Sequence, residues 1–296
     1  MAEFEVAHRT DHKKIMMYAE RARLGSQKPA TWVARDMEPQ YAKYLNANNA
    51  EGRITFTQTL LKHMREHAAV LVEPLHFVTV VSRVYMLPIG TAAEINLKSL
   101  RAFVRQSLVG SPFVGMIEPA LYLDCNTFGA CRGVDVVCWH AHIIVWGRTR
   151  QQIRKAASGI GAQHVSITGG PPVHIKYVSP DELTAKWLYM CKAPLKAYRL
   201  NRYKGERIDA STGDVFPNFL QQKQPMRTGN RIRVSNFMKD LYLEQLCFGG
   251  GEGAALAKTI IKTATVTKRL EAARETSKRL AQRAIQNSRG AASRHH

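Results

Sequence analysis

Residues 138–147, which read CWHAHIIVWG, decide how the rest of this sequence is interpreted. The run is apolar, β-branched and aromatic, and it stops at a glycine, so it predicts a buried β-strand. Side chains on a strand alternate between its two faces, and His140 and His142 therefore project from the same face. Each imidazole carries a donor and an acceptor that must be satisfied when buried, so packing alone rarely explains such a pair. The pair predicts a metal site.

Two further strands are predicted before the histidine strand. Residues 77–82 (FVTVVS) are dense in β-branched residues, and residues 113–123 form a second apolar run that contains one acid, Glu118. An unpaired carboxylate inside a buried strand is costly, so Glu118 is expected to face a cation. The alternative is that Pro119 bends the strand and leaves Glu118 in solvent.

The clearest helix start is residues 179–182 (SPDE), with a serine cap, proline at the first helical position and glutamate at the third. The helix is predicted to run to about Ala193, where Pro194 stops it. Tyr189 and Lys192 are three residues apart and are expected to be neighbours on one helix face. Taken alone, a tyrosine and a lysine at this spacing indicate only an amphipathic helix.

Other segments give weaker signals for secondary structure. These are a helix at 56–72, a helix opened by a capping-box pattern at 91–94, a helix at 148–158, a strand at 173–178 and a helix at 235–246. Residues 196–233 are polar, basic and predicted to be rich in turns. Gly249 to Gly251 are predicted to form a linker, and the basic, alanine-rich segment after it a solvated helix with a disordered end.

Composition and charge narrow the class of partner. The chain has 296 residues, is 45% hydrophobic and carries a formal charge of +20, so a polyanion is expected, with nucleic acid before membrane. A basic ribosome-like or scaffolding protein is the alternative. No long uncharged apolar run appears, and the acids Glu3, Glu5 and Asp11 argue against a signal peptide. Five cysteines without a secretion signal favour a reducing interior, the cytoplasm.

Three motifs occur in a fixed order: the β-branched strand 77–82, histidine-hydrophobe-histidine at 140–142, and tyrosine-x-x-lysine at 189–192. In this the sequence resembles the HUH endonucleases. More narrowly, it resembles their replication-initiator branch, which starts rolling-circle replication of plasmids, phages and small viruses. The tyrosine follows the histidines, as in the initiators and unlike the conjugative relaxases. The resemblance covers roughly residues 75–200, and the small Ala141 between the histidines is a mild departure from the pattern.

The resemblance implies an α+β fold with a central antiparallel β-sheet, a ferredoxin- or RRM-like palm, flanked by helices. We expect an HUH endonuclease domain at 73–247. A helical N-terminal extension at 1–72 and a basic helical or disordered tail at 248–296 would surround it.

The resemblance also implies roles for individual residues. His140 and His142 would bind a divalent cation, Mn²⁺ or Mg²⁺, with Glu118 as the third ligand. Tyr189 would attack phosphorus, which gives a 5′-phosphotyrosine and a free 3′-hydroxyl primer. Lys192 would orient the phosphate or assist proton transfer. The next tyrosine, Tyr198, lies beyond the helix end, so a single-tyrosine enzyme is expected.

The expected partner is single-stranded DNA at a replication origin, folded as a hairpin. Candidate DNA-binding residues are Lys186, Lys196, Arg199, Arg202, Lys204, Arg231 and Arg233. No GxxxxGK[ST] phosphate loop exists, so no nucleotide cofactor is expected, and unwinding and synthesis would rely on a host helicase and polymerase.

Three rival functions stand against this one, and a zinc site is a further, disfavoured alternative. A transposase or mobilisation relaxase would share the motifs and differ in its DNA. A histidine-triad nucleotide hydrolase needs a third alternating histidine, and Ile144 stands there. A non-catalytic basic nucleic-acid-binding protein would use the same residues structurally. A zinc site at Cys125, Cys131 and Cys138 has unsuitable spacing, and buried small hydrophobes are preferred.

Overall fold

The computed structural model describes residues 1–24, 45–67, 74–125, 133–208, 213 and 215–292. Helices and strands are mixed along these ranges in an α+β arrangement. In chain order the elements are α1 (Ala2–Leu24), α2 (Ala50–His67), β1 (His76–Pro88), α3 (Leu97–Ser107), β2 (Phe113–Cys125), β3 (Val134–Val145), α4 (Arg150–Ala157), β4 (Val173–Tyr177), α5 (Leu183–Cys191), β5 (Lys196–Ile208), β6 (Val215–Pro225), α6 (Thr228–Phe237), α7 (Leu243–Leu246), β7 (Cys247–Gly250) and α8 (Gly253–Ala292). None of the helices in these ranges is long and apolar enough to cross a lipid bilayer.

The strands form one seven-stranded sheet in the order β4-β1-β3-β2-β5-β6, and β7 pairs with part of β2. Most neighbours are antiparallel, as predicted. The exception is the short parallel pairing of β2 with β5, which joins Leu121 to Ala197 and Tyr122 to Tyr198. The sheet is therefore mixed rather than purely antiparallel. The parallel pairing arises because residues 196–208 form strand β5, whereas their polar sequence predicted a stretch rich in turns.

Strand β3 lies between β1 and β2 and divides its side chains between the two faces of the sheet. Trp139 points to one face, where its Nε1 donates to the Ala92 carbonyl (3.2 Å) and its ring lies 5.7 Å from that of Phe237. We call this the Trp139 face. His140 and His142 point to the opposite face, which we call the histidine face. The prediction of a buried strand with both histidines on one side is confirmed.

Strand β2 accommodates a proline because its second edge is only partly paired. Strand β7 pairs with Phe113 to Met116, and β5 pairs with Leu121 and Tyr122. Pro119 lies between these two paired stretches. Proline has no N–H to donate to a neighbouring strand, so it is tolerated here, where the second edge of β2 has no paired partner. The strand continues through Pro119 to Cys125 and is not broken there.

Two helix predictions are wrong at their boundaries. Residues 89–94 form a 3₁₀ helix, and α3 is capped by Asn96, whose side chain accepts from the Ser99 N–H (2.9 Å). The predicted single helix at 235–246 is two helices, α6 and α7. The turn between them is held in an extended pairing, because Leu241 and Leu243 exchange backbone hydrogen bonds with the chain at 45–47.

The two segments predicted to be irregular contain strands. Residues 196–233 hold the paired strands β5 and β6. Most of the side chains described on these strands are exposed or half-buried, so the polar composition resembles that of a loop. The predicted glycine linker holds β7, which packs against β2. The following helix α8 is not a solvated tail at its start, because Leu256, Ile260 and Ala264 are buried; Leu270 and Leu280 further along are exposed. Residues 293–296 lie outside the described ranges.

The N-terminal helices pack on the rest of the fold. The predicted helix at 56–72 is confirmed as far as His67 and begins earlier, at Ala50. Its apolar residues Phe56, Leu60, Leu61 and Met64 are buried, whereas Ala68 lies outside the described residues. Helix α2 contacts both α5 and α8. The α2–α5 contact bears directly on the site described below.

We expect opposite stability effects from alanine at two glycines. A β-carbon at Gly253 would collide with the backbone of Phe113, whereas one at Gly229 meets nothing within 4 Å. Gly253→Ala should therefore lower the free energy of unfolding by about 1–3 kcal/mol. Gly229→Ala, inside α6, should raise it by about 0.4–1 kcal/mol. Urea denaturation followed by circular dichroism measures both, and equal effects would contradict the packing of α8 on β2.

Candidate metal centre

The pairing register of three strands brings three potential metal ligands together. Glu118 on β2 lies directly opposite His140 on β3, and Met116 and Thr79 lie on either side of His142. Directly paired residues share a face, so the carboxylate and both imidazoles lie on the histidine face. All three are buried, with Glu118 only 7% exposed. The alternative in which Pro119 turns Glu118 into solvent is therefore wrong.

The three ligand atoms form a nearly equilateral triangle. His140 Nε2 and His142 Nε2 are 3.2 Å apart, and Glu118 Oε1 lies 3.2 Å from the first and 3.1 Å from the second. Within the described ranges this group could hold a metal ion. An ion about 2.2 Å from three adjacent octahedral ligands would separate those ligands by about 3.1 Å, which matches the triangle.

The hydrogen bonds behind the triangle determine where the lone pairs point. The Cys138 carbonyl can only accept, so His140 Nδ1 donates to it (3.3 Å), and a neutral His140 then directs the lone pair of Nε2 into the triangle. His142 Nδ1 shares a hydrogen bond with the Thr79 hydroxyl (3.0 Å). Such contacts behind ligating histidines fix ring orientation in metal sites. Three electron-rich atoms this close need a positive charge among them, either a proton or a cation, so the residues fit a metal ion.

The ionisation states also suit metal binding. Burial acts to raise the pKa of Glu118, but the Lys192 ammonium and His142 hold that pKa well below its ordinary range. Burial lowers the pKa of His142 to about 4, against the opposing effect of Glu118. At neutral pH Glu118 is therefore anionic and His142 neutral, which are the forms that ligate metals. Protons compete at His142 only as the pH falls toward about 4.

Helix α5 brings an amine and a phenol to the same place. The helix ends at Cys191, two residues earlier than predicted, and Lys192 follows as its extended C-cap. Lys192 Nζ lies 2.6 Å from both oxygens of Glu118 and 3.8 Å from the centre of the Tyr189 ring. The Tyr189 ring lies 5.0 Å from that of His142 and 5.7 Å from that of Phe77. The structure thus gathers Tyr189, Lys192 and the triad on one face of the sheet.

Two residues of the N-terminal helices hold the end of α5 in place. Arg53 is buried, and its Nη1 donates to the carbonyls of Cys191 (2.9 Å) and Lys192 (3.3 Å). His8 Nε2 accepts from the Ala193 N–H (2.9 Å). Burial and Arg53 lower the pKa of His8 to about 4, so His8 is neutral and able to accept at ordinary pH. Sequence reasoning missed both residues, because nothing local links them to residues 138 or more positions away.

The predicted DNA-binding residues separate into two groups. Lys186 lies beside the site, with its Nζ 6.0 Å from the Phe77 ring, and Lys196, Arg199 and Arg202 are exposed on β5, with Arg199 paired to Asp124 (3.0 Å). Arg231 and Arg233 already have acidic partners. They pair with Asp11 and Asp135 respectively, and Arg231 is mostly buried. The side chain of Lys204 lies outside the described residues.

Two further residues of the β5–β6 hairpin lie near the site. The Tyr198 ring stacks on that of Tyr122 with centres 5.2 Å apart. Lys223 Nζ lies 5.9 Å from the ring centres of both Tyr189 and Tyr198. Sequence analysis placed Tyr198 beyond the helix, and strand β5 brings it back toward the triad. No local signal distinguished Lys223 within its basic segment.

Comparisons with protein-family models, with curated proteins and with solved structures find no match to this chain. The arrangement of Glu118, the two histidines, Lys192 and Tyr189 is therefore the basis for any functional conclusion. A buried carboxylate and imidazole triad that could hold a metal ion, beside a phenol and an amine, marks a candidate functional site.

We expect Mn²⁺ to stabilise the protein through the triad. At a free Mn²⁺ concentration 100 times the dissociation constant, the free energy of unfolding should rise by about 2.7 kcal/mol, because the ion binds only the folded chain. Replacing both triad histidines (His140→Ala with His142→Ala) should abolish this increment. Thermal unfolding over an Mn²⁺ titration measures it.

The matched control is His174→Ala. His174 lies on β4, exposed and outside the triad, so its replacement should leave the Mn²⁺ increment unchanged. The Mn²⁺ binding site would lie elsewhere if His174→Ala lost the increment as fully as the double variant. The same would follow if the double variant kept the full increment.

Proposed function

We propose that this protein is a rolling-circle replication initiator that nicks and rejoins single-stranded DNA through a covalent 5′-phosphotyrosine on Tyr189. The observation that carries the proposal is the contact of the Tyr189 ring with both His142 of the triad and the Lys192 ammonium. A phosphodiester bound at the triad would therefore lie within reach of the phenol.

The reaction is a transesterification with a balanced exchange of bonds. The Tyr189 oxygen bonds to phosphorus, the bond from phosphorus to the 3′ oxygen breaks, and the phenol proton ends on that 3′ oxygen. The free 3′-hydroxyl then primes synthesis. Because one phosphate ester replaces another, a 3′-hydroxyl can later attack the phosphotyrosine and rejoin the strand with the same residues.

Tyr189 needs assistance because a phenol is almost fully protonated, and so a weak nucleophile, at neutral pH. Lys192 places a positive charge 3.8 Å from the centre of the ring, where it can offset negative charge that develops on a phosphate bound there. Glu118 holds that ammonium through both carboxylate oxygens and so fixes its position. Lys192 can then donate to a phosphate oxygen or pass a proton at Nζ.

Glu118, His140 and His142 would hold the divalent ion. One carboxylate and two imidazoles with open positions suit Mn²⁺ or Mg²⁺. When bound, such an ion supplies positive charge that offsets the negative charge developing on the phosphate oxygens. As part of the proposal, β1 to β4 correspond to the palm that carries the histidines in HUH endonucleases.

The proposed substrate is single-stranded DNA at a replication origin. The formal charge of +20 and the exposed cations of β5 favour a polyanion. Host helicase and polymerase would supply unwinding and synthesis in the cytoplasm of a bacterial or archaeal cell. The proposed endonuclease domain is 73–247. The helices on both sides of it contribute contacts, among them Arg53 to the end of α5.

The test is a covalent adduct on a denaturing gel. The protein is incubated with Mn²⁺ and a randomised pool of single-stranded oligonucleotides, labelled in one reaction at the 3′ end and in another at the 5′ end. Because the protein retains the 5′ phosphate of the downstream fragment, only the 3′ label should migrate with it. Tyr189→Phe should reduce the adduct to background while DNA binding, measured by fluorescence anisotropy, is unchanged.

Two variants check which tyrosine reacts. Burial and the negative charge of Glu118 raise the pKa of Tyr198 well above that of a free phenol, so Tyr198 is a poor nucleophile and Tyr198→Phe should keep the adduct. Tyr177→Phe, at an exposed position on β4, should also keep it. An adduct that survives Tyr189→Phe, or that carries the 5′ label, would contradict the proposed function.

A further inference from the structure

The strand pairing of the sheet places Lys223, on the β5–β6 hairpin, near Tyr189, the proposed nucleophile. Tyr122 on β2 pairs with Tyr198 on β5, and Tyr198 pairs with Lys223 on β6. Tyr122 lies four residues from Glu118 on the same strand, so its side chain points to the same face. Lys223 therefore lies on the histidine face, one strand beyond Tyr198.

The Lys223 ammonium lies at equal distances from two aromatic rings. Its Nζ is 5.9 Å from the ring centres of both Tyr189 and Tyr198, near the outer limit of cation–π attraction. Its side chain is exposed, so the ammonium can move toward a ligand at little cost. Within the described ranges, Lys223 contacts these two rings and no carboxylate.

The charges around Tyr189 are out of balance in favour of the positive. Glu118 is the acid at this point, and Lys192 already engages both of its oxygens. Partial burial of the ammonium and the charge of Lys192 lower the pKa of Lys223. Glu118 opposes them, and Lys196 adds a smaller lowering effect. An anion bound among the lysines would relieve this repulsion, and the phosphodiester of DNA is an anion.

We propose that Lys223 binds a non-bridging oxygen of the phosphodiester that Tyr189 attacks, and that the β5–β6 hairpin thereby forms one wall of the DNA site. This inference rests on the proposed nicking function. Lys192 and Lys223 lie against the same tyrosine ring and come from different elements, α5 and β6. A phosphate at the phenol would then receive hydrogen bonds from both ammonium groups.

The test compares Lys223→Gln and Lys223→Arg with the control Lys98→Gln. Lys98 is exposed on α3, which packs on the Trp139 face through the contact of Phe103 with Tyr85, so the control removes the same charge from the opposite side. Two quantities are measured for each protein. One is the rate of 3′-labelled adduct formation at saturating DNA with Mn²⁺. The other is the salt dependence of oligothymidylate binding without metal.

Lys223→Gln should slow adduct formation at least about tenfold, because a charge that offsets the transition state is lost. It should also reduce the slope of log K against log salt by about 0.7, the value for one phosphate contact on a single strand. Lys223→Arg should restore both, since it keeps the charge. Lys98→Gln should keep the wild-type adduct rate.

Two results would overturn the inference. One is a Lys223→Gln protein that matches the Lys98→Gln control in adduct rate. The other is slower adduct formation with an unchanged salt slope, which would mean that Lys223 contacts no phosphate. In both cases the proposed nicking function would still be supported, provided that the wild-type protein forms the adduct and Tyr189→Phe does not. Absence of any adduct in the wild-type protein would instead contradict the proposed function itself.

Discussion

The buried carboxylate of Glu118 is the constraint on which the rest of the site depends. A buried charge is tolerated only when it is paired and hydrogen-bonded, and here a lysine and two imidazoles surround it. Those partners come from strand β3 and from the end of helix α5. One acid therefore holds the end of a helix against the sheet and orders three polar groups around itself, the Lys192 ammonium and the two imidazoles.

The position of Lys192 is fixed from both sides. Glu118 binds its ammonium, and Arg53 and His8 hold the backbone at and next to it. Buried hydrogen-bonded networks of this kind restrict motion because each broken bond would leave a polar group unsatisfied. The N-terminal helices, which carry no recognisable motif, thus contribute to the geometry of the site from outside residues 75–200, which hold the three sequence motifs.

Sequence patterns predicted the parts of the site that depend on local periodicity. Strand alternation placed His140 and His142 on one face, and a single acid in an apolar run identified Glu118. Helical spacing brought Tyr189 and Lys192 together, although the helix ends before Lys192. The contact of Lys192 with Glu118 spans 74 positions and follows from tertiary packing alone, which no local pattern reports.

The incorrect and missing sequence predictions also have physical causes. The β5–β6 hairpin is exposed, so its strands lack the apolar alternation that marks a buried strand, and Lys223 was indistinguishable from its basic neighbours. The glycines of β7 indicated a linker. Their actual role is to permit close packing, because a β-carbon at Gly250 would meet the Phe113 ring and one at Gly249 would meet the backbone of Gly253. In both cases the partner strand, and not the segment's own sequence, determines the structure.

Peptide mapping of the covalent adduct tests the central claim most directly. After nuclease and trypsin digestion, cleavage following Lys186 and Lys192 releases residues 187–192, a peptide in which Tyr189 is the sole tyrosine. If Tyr189 is the nucleophile, mass spectrometry finds the phosphate on this peptide. A phosphate on residues 197–199, which carry Tyr198, or on any other peptide would contradict it.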